Sequence, residues 1–197
     1  MKHGDSVSNP LRVDWLNVAD LAVPGQLGRT FLPGKNHLGV SGVRHARSAD
    51  ADCERLRTVY GIDVLVLLNE DHEIDRFVNH PPPSHVPQNL FASISAHHIE
   101  LLRLPIPDGG TPSAARTVAV RALLAQIVGA LRAGRRVAVA CRGGIGRTGT
   151  LLALTLIDLG CPPANAIQRV RLMKPECIDP GRQEDYVRTW KSHPDVS

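Results

Sequence analysis

The chain has 197 residues, 43% hydrophobic and 21% charged, a globular balance that excludes wholesale disorder and fits one domain with short extensions. Its net charge of +4 is unevenly spread: residues 1–100 carry 9 Lys and Arg against 12 Asp and Glu, and residues 101–197 carry 14 against 7, so the basic half points either to an anionic ligand or to a solvated, arginine-rich surface. Seven aromatics argue against a base-stacking nucleic-acid platform, the polar start MKHGDSVSNP against a secretory signal, and no apolar run reaches the ~18–20 residues of a bilayer span.

Residues 1–20 read as an N-terminal tail and residues 21–192 as a single domain. Leu21 to Lys35 reads as strand, turn and strand, punctuated by Pro24-Gly25 and Pro33-Gly34. Helical spacing covers Ser48 to Tyr60, with Ser48 or Asp50 as cap. Ile62 to Leu68 is a continuous apolar run, the mark of a strand buried on both faces. Glu70 to Val78 and Gln88 to Ala96 are predicted short helices, separated by a Pro-rich loop at His80-Pro81-Pro82-Pro83. A strand is expected from Ile99 to Ile106, and a long helix from Pro112, capped by Thr111, to Ala133 before Gly134. Arg136 to Ala140 reads as a short buried strand. Helices follow at Thr148 to Leu159, Pro163 to Met173 and Arg182 to Lys191. Strands alternating with helices across short loops imply an α/β fold, three layers with a central, mostly parallel sheet flanked by helices.

The four cysteines, Cys53, Cys141, Cys161 and Cys177, form neither a C-x-x-C pair nor a zinc-spaced cluster. A chain this long needs no disulfide staples, which makes a reducing, cytoplasmic location the expectation. Cys141 opens the informative stretch Val137 to Leu152, VAVACRGGIGRTGTLL, which runs strand, glycine-rich loop, helix. Gly144 to Gly149 matches G-x-G-x-x-G, but the acidic strand end that a dinucleotide site requires some 20 residues on is missing. A nucleoside-triphosphate loop fails because Arg147 stands where a Lys is needed. A purely structural reading takes Cys141 as packing and the glycines as turn formers.

The remaining reading pairs Cys141 with Arg147, with five residues between them. Glycines let the loop of Arg142, Gly143, Gly144, Ile145 and Gly146 curl into an anion nest, and the following helix adds its orphan N–H groups. Arg147 grips two phosphate oxygens, and Cys141 sits below as a thiolate placed for in-line attack on phosphorus. Thr148 donates its hydroxyl to the sulfur, and no metal or other cofactor is required because Arg147 and the amides carry the charge work. The departing oxygen needs a proton. Asp108, in PIPDGGTPS and 33 residues before Cys141, lies on a loop at a strand end, where α/β sheets place their ligands, although Asp-Gly-Gly by itself is an ordinary turn.

CRGGIGRTG resembles the Cys-x5-Arg-Ser/Thr signature of the protein tyrosine and dual-specificity phosphatases. PIPDGGTPS, Leu21-Ala22-Val23-Pro24 and Leu32-Pro33-Gly34-Lys35 resemble the acid loop and N-terminal strands of the kinase-associated (cyclin-dependent kinase inhibitor) phosphatase group. The resemblance spans Leu21 to Trp190 and implies a phosphatase acting on phosphotyrosine, with phosphoserine and phosphothreonine as further targets, in protein or peptide partners. It implies Cys141 as nucleophile forming a phosphocysteine, Arg147 and the 142–147 amides as phosphate cradle, Asp108 as general acid and then base, Thr148 as helper of the sulfur, and Gln183 as positioner of water. One departure stands out: Ala140 occupies the place of the family's usual His, which helps hold the loop and activate the thiol. Arg142 adds charge that suits a more anionic substrate such as a phosphoinositide. A phosphate-recognition module without turnover is the alternative; it has no need of both Cys141 and Asp108. His97-His98 is expected at the surface without a carboxylate partner, and the run Glu70, Asp71, Glu73, Asp75 as a helix cap.

Overall fold

The computed structural model describes residues 3–37, 44–79 and 87–192; the Pro-rich loop at His80 lies outside them. A five-stranded sheet forms the centre. In spatial order it runs β2 (Asp14–Trp15), β3 (Gln26–Phe31), β7 (Arg136–Cys141), β5 (Val64–Leu67) and β6 (Glu100–Arg103), all parallel except the β2 edge. The all-apolar runs of β5 and β7 take the middle places because both their faces are covered.

Alternate residues of those strands serve two cores. Val64, Val66, Val137 and Val139 pack with α4 (Thr117–Arg132), α5 (Gly146–Asp158) and α6 (Pro163–Met173). Leu65, Leu67, Ala138 and Ala140 pack with α1 (Ala49–Thr58) and α3 (Leu90–Ala96) on the other face. The expected three-layer α/β fold is the one observed. Two short strands, β1 (His3–Asp5) and β4 (Arg44–Ala46), pair separately. The helix α7 (Arg182–Thr189) completes the described chain.

Several expectations need correction. Residues 1–20 are not a tail: Leu11, Val13, Leu16 and Val18 are buried, and β2 pairs with β3, because an apolar residue at nearly every second position finds sheet and helix surface to cover. Leu21 to Lys35 holds one strand rather than two; Ala19–Leu21 is a 3-10 turn, and Ala22 takes a left-handed conformation that ends it. The long helix begins at Thr117, after a 3-10 turn at Ala114–Arg116, so Thr111 does not cap it. The stretch Ala114–Arg132 reaches the length and apolarity of a bilayer span, yet Val120, Leu124, Ile127 and Leu131 of its α4 portion are spent on the core. The segment after β5 is α2 (Asp71–Ile74) followed by a π-helical turn at Asp75–Asn79. His97 does have a carboxylate partner, Asp50, at 2.9 Å.

The parallel order positions the site. The C-terminal ends of β3, β5, β6 and β7 all emerge at one edge, so the loops after them converge. Those loops carry Lys35, Glu73, Asp108 and the Cys141–Arg147 segment.

Candidate active site

Cys141 is the last residue of β7 and is 3% exposed; six residues later Arg147 lies in the first turn of α5. The intervening loop is fixed by contact with β3. Gly144 has φ +65°, and a Cβ there would lie 2.2 Å from the carbonyl oxygen of Thr30, so neither conformation nor space admits another residue. The Arg29 side chain donates from Nε to the Gly144 carbonyl at 2.7 Å, itself anchored to Asp14 at 2.9 Å. At the other end Gly149 approaches Cys177; a Cβ on it would sit 2.8 Å from the cysteine Cβ. Helix α5 therefore starts hard against the loop, and its unpaired first-turn N–H groups belong to Gly146, Arg147 and Thr148.

Arg147 is buried and held on every side. Its Nη1 donates to Glu73 Oε2 at 2.6 Å and to the Ile106 carbonyl at 2.9 Å; Nη2 donates to Glu73 Oε1 at 2.9 Å and to Asp108 Oδ1 at 2.9 Å. Burial works against its charge, but Glu73, Cys141 and Asp108 together outweigh that and hold the guanidinium above its ordinary range. Glu73 is affected in the mirrored way: burial opposes its charge, and Arg147 nonetheless keeps its carboxyl below the usual range. Asp108 lies half-exposed between two guanidiniums, with Arg142 Nη2 2.8 Å from its other oxygen. Gly109, with φ +69° and open space where a Cβ would be, forms the turn beyond it.

Arg147, Asp108, Arg142 and Gly109 line an open cavity of about 960 Å³ that also takes in Lys35, His37, His45, Phe77, Asp179 and Gln183. Asp108, Cys141, Arg142, Gly143, Ile145, Gly146, Arg147 and Gln183 all line it, so the structure gathers nearly all the residues singled out in the sequence around one hollow. Gly144 turns inward against β3 instead. Among the described residues the Thr148 hydroxyl, expected at the sulfur, is buried without a hydrogen-bond partner.

A family model described as "Polymorphic toxin system, DSP-PTPase phosphatase" matches residues 39–161, which include Asp108, Cys141 and Arg147. The chain belongs to this DSP-PTPase phosphatase family. It is similar to cyclin-dependent kinase inhibitor 3 of Mus musculus and of Rattus norvegicus, each 26% identical over 174 residues, covering 85% of this chain and 72% of the relative. The fold matches that of kinase associated phosphatase, solved with its catalytic-site cysteine replaced by serine, with a TM-score of 0.75 at 24% identity over 91% of this chain and 93% of that one. Tk-PTP in its active form gives a TM-score of 0.61 at 22% identity, over 88% and 92% of the two chains.

Within this phosphatase fold, Gln183 is 1% exposed at the start of α7. It donates from Nε2 to the Gly110 carbonyl at 3.1 Å and accepts from the Asp179 amide at 3.0 Å, so it ties the loop bearing Asp108 to the α6–α7 connection. The other three cysteines are free and buried, and burial pushes their thiols up: Cys53 to about 12, Cys177 to about 11, Cys161 in the same direction. Ala140 is fully buried in the core under α1 and α3. Three residues that shape the candidate site escaped the sequence reading: Glu73, Arg29 and Lys35. Glu73 sits in an acidic run that also makes sense as a cap, since its Oε2 accepts the Glu70 amide at 3.0 Å. Its second partner lies 74 residues away and leaves no local signal.

Proposed function

We propose that this chain hydrolyses phosphate monoesters through Cys141, with phosphotyrosine in proteins or peptides as the leading substrate and phosphoserine and phosphothreonine as further targets. The observation that carries the reading is the shared cavity: the Cys141 sulfur at a strand end, the Arg147 guanidinium fixed by Glu73, and a carboxyl, Asp108, on the Asp-Gly-Gly loop at its edge.

The chemistry follows. The phosphate dianion competes with the Asp108 carboxylate for Arg142 and Arg147, which frees that carboxylate to take up a proton from solvent and, as the acid, to meet the leaving oxygen. The Cys141 thiolate attacks phosphorus; an S–P bond forms, the P–O bond to the leaving group breaks, and Asp108 supplies the proton to that oxygen. Arg147 and the first-turn amides of α5 bear the charge on the transferring group. Asp108 then takes a proton from water, the water oxygen bonds to phosphorus, and the S–P bond breaks to return thiolate and release inorganic phosphate. Gln183, in the wall of the same cavity, is assigned to orienting that water. A reducing cytoplasm suits four free cysteines.

The test is hydrolysis of an aryl phosphate by the wild-type protein, Cys141→Ser and Asp108→Asn. Turnover is expected in the wild type alone at full rate. Turnover that survives Cys141→Ser removes the assigned nucleophile, and phosphate binding without turnover in the wild type makes the chain a recognition module.

A further inference from the structure

Arg29, in the middle of β3, is a buried cation that stands behind the cavity wall rather than in it. Its Nε donates to the Gly144 carbonyl at 2.7 Å, across 115 positions of sequence, and its Nη1 is held by Asp14 of β2 at 2.9 Å. Asp14 and Arg29 are also direct partners in the β2–β3 register, so the side-chain pair spans the edge of the sheet. Other restraints on the loop from this side are weaker. Lys35 reaches the Arg142 carbonyl only at 3.5 Å, and Ala140, just before Cys141, packs with the core under α1 and α3. A buried arginine costs desolvation that an apolar side chain in the same place avoids.

We infer that Arg29, anchored by Asp14, is a positioning residue: it sets the peptide between Gly144 and Ile145 with its carbonyl toward the sheet and its N–H toward the bound oxyanion. The inference rests on the chemistry proposed at Cys141 and adds to it the group that aims one of the loop's donors. A peptide unit is planar and trans, so its C=O and N–H point in opposite directions. The Gly144 carbonyl faces the guanidinium on the β3 side; the Ile145 N–H therefore faces away from β3, and Ile145 lines the cavity. Glycines at 143 and 144 give this peptide little resistance of its own to flipping. A flipped peptide would aim a carbonyl oxygen, with its partial negative charge, at the phosphate. The charged donor at 2.7 Å opposes that flip, and its pull on the carbonyl polarises the N–H on the far side. Asp14 in turn fixes which way the guanidinium faces.

The experiment follows the backbone amides of the 15N-labelled protein by NMR as tungstate, a tetrahedral oxyanion, is added to the wild type, Arg29→Met and Asp14→Asn. The same proteins are assayed for kcat and KM on an aryl phosphate. In the wild type the Ile145 amide proton is expected to move downfield on binding. In Arg29→Met that shift is lost and tungstate binds about tenfold more weakly, the loss of one charge-assisted hydrogen bond. There kcat falls by about 10- to 100-fold and KM changes less, because the donor is misaimed rather than removed and acts most strongly on transition-state charge. Asp14→Asn, a change at a half-exposed side chain, moves each quantity in the same direction by a smaller factor; with the wild-type shift it keeps the test decisive should Arg29→Met not fold. An Ile145 amide that ignores tungstate in the wild type, or responds equally in Arg29→Met, overturns the assignment. So does an Arg29→Met protein that melts earlier but keeps its tungstate affinity and kcat, which would make Arg29 a residue of the fold alone. An Arg29-dependent shift in a wild type that hydrolyses no aryl phosphate leaves the positioning intact and removes the catalysis; turnover without the shift does the reverse.

Discussion

The carboxylate of Glu73 takes both terminal nitrogens of Arg147, at 2.6 and 2.9 Å, in a setting where both side chains are almost wholly buried. A planar guanidinium held along one edge by a planar carboxylate is fixed in orientation as well as in position. That leaves its remaining edge directed by the protein rather than by the ligand. Preorganisation of this kind lowers a barrier, because no reorientation is needed when charge develops on the transferring group.

Glu73→Gln keeps the shape and loses the charge. The amide cannot accept on both sides, so the guanidinium is free to tilt, and a misplacement near 1 Å costs on the order of 100-fold in rate. We expect kcat on an aryl phosphate to fall by about that factor, with a lower melting temperature. Removing one partner of a buried pair costs ~3–5 kcal/mol where no polar group replaces it, and less for this isostere. A variant that melts early but keeps its kcat would show that Glu73 serves the fold alone.

Asp108 makes a prediction that depends on the leaving group. If it protonates the departing oxygen, Asp108→Asn costs about 10²–10⁴ for an alkyl or phenolic leaving group that needs the proton. A nitrophenolate, stable without one, shields the variant from most of that loss. The slope of log kcat/KM against leaving-group acidity, measured over a series of substituted aryl phosphates, is therefore expected to steepen in the variant. Parallel slopes in the two proteins remove Asp108 as the acid.

The extent to which this architecture was legible in the sequence differs residue by residue. Cys141 and Arg147 were legible because five residues, three of them glycine, separate them between an apolar strand and an apolar helix; the constraint is local. The strands β5 and β7 were legible for a similar reason, since continuous Val, Leu and Ala has one stable place in a layered fold. Glu73 and Lys35 were not, because their meaning arises only when parallel strands bring four loop ends to one edge. Leu11 to Val18 was read as tail because its alternation of apolar and polar residues breaks between Val13 and Leu16, and β2 is only two residues long. The Thr111 cap failed for another reason: the Gly-Gly-Thr-Pro stretch stays extended and a 3-10 turn at Ala114–Arg116 intervenes before α4.

The stacked pair His37 and His45 gives the protein an acid-sensitive stability. Burial, with the Lys35 charge behind it, lowers each imidazole from 6.5 to about 4. Between those values the unfolded chain is protonated at both positions while the folded one is not, so unfolding takes up as many as two protons. Stability therefore falls as pH drops from about 6.5 toward 4, and is insensitive to these groups above 6.5. Urea midpoints measured across this window are expected to decline with acidity, and the decline to be shallower in the double variant His37→Gln, His45→Gln. An equal decline in both proteins would place the acid sensitivity elsewhere.

Gly144 and Gly109 both have positive φ, +65° and +69°, yet they answer to different forces. At Gly144 a Cβ would meet three backbone atoms of β3: the Thr30 oxygen at 2.2 Å, the Thr30 carbon at 2.7 Å and the Phe31 nitrogen at 3.0 Å. None can yield without disturbing the register that pairs Thr30 with Ala140 and Phe31 with Cys141. At Gly109 nothing lies within 4 Å, so only the left-handed conformation resists a side chain. Gly109→Ala should cost roughly 1–2 kcal/mol, the conformational penalty by itself. Gly144→Ala should cost roughly 3–5 kcal/mol, strain and overpacking together, and should also move the loop that holds Cys141 and Arg147. Chemical denaturation of the two variants separates the contributions. Equal losses would mean that the contact between the Cys141 loop and β3 is looser than the distances state, and that the loop is shaped by its own glycines rather than by the strand beneath it.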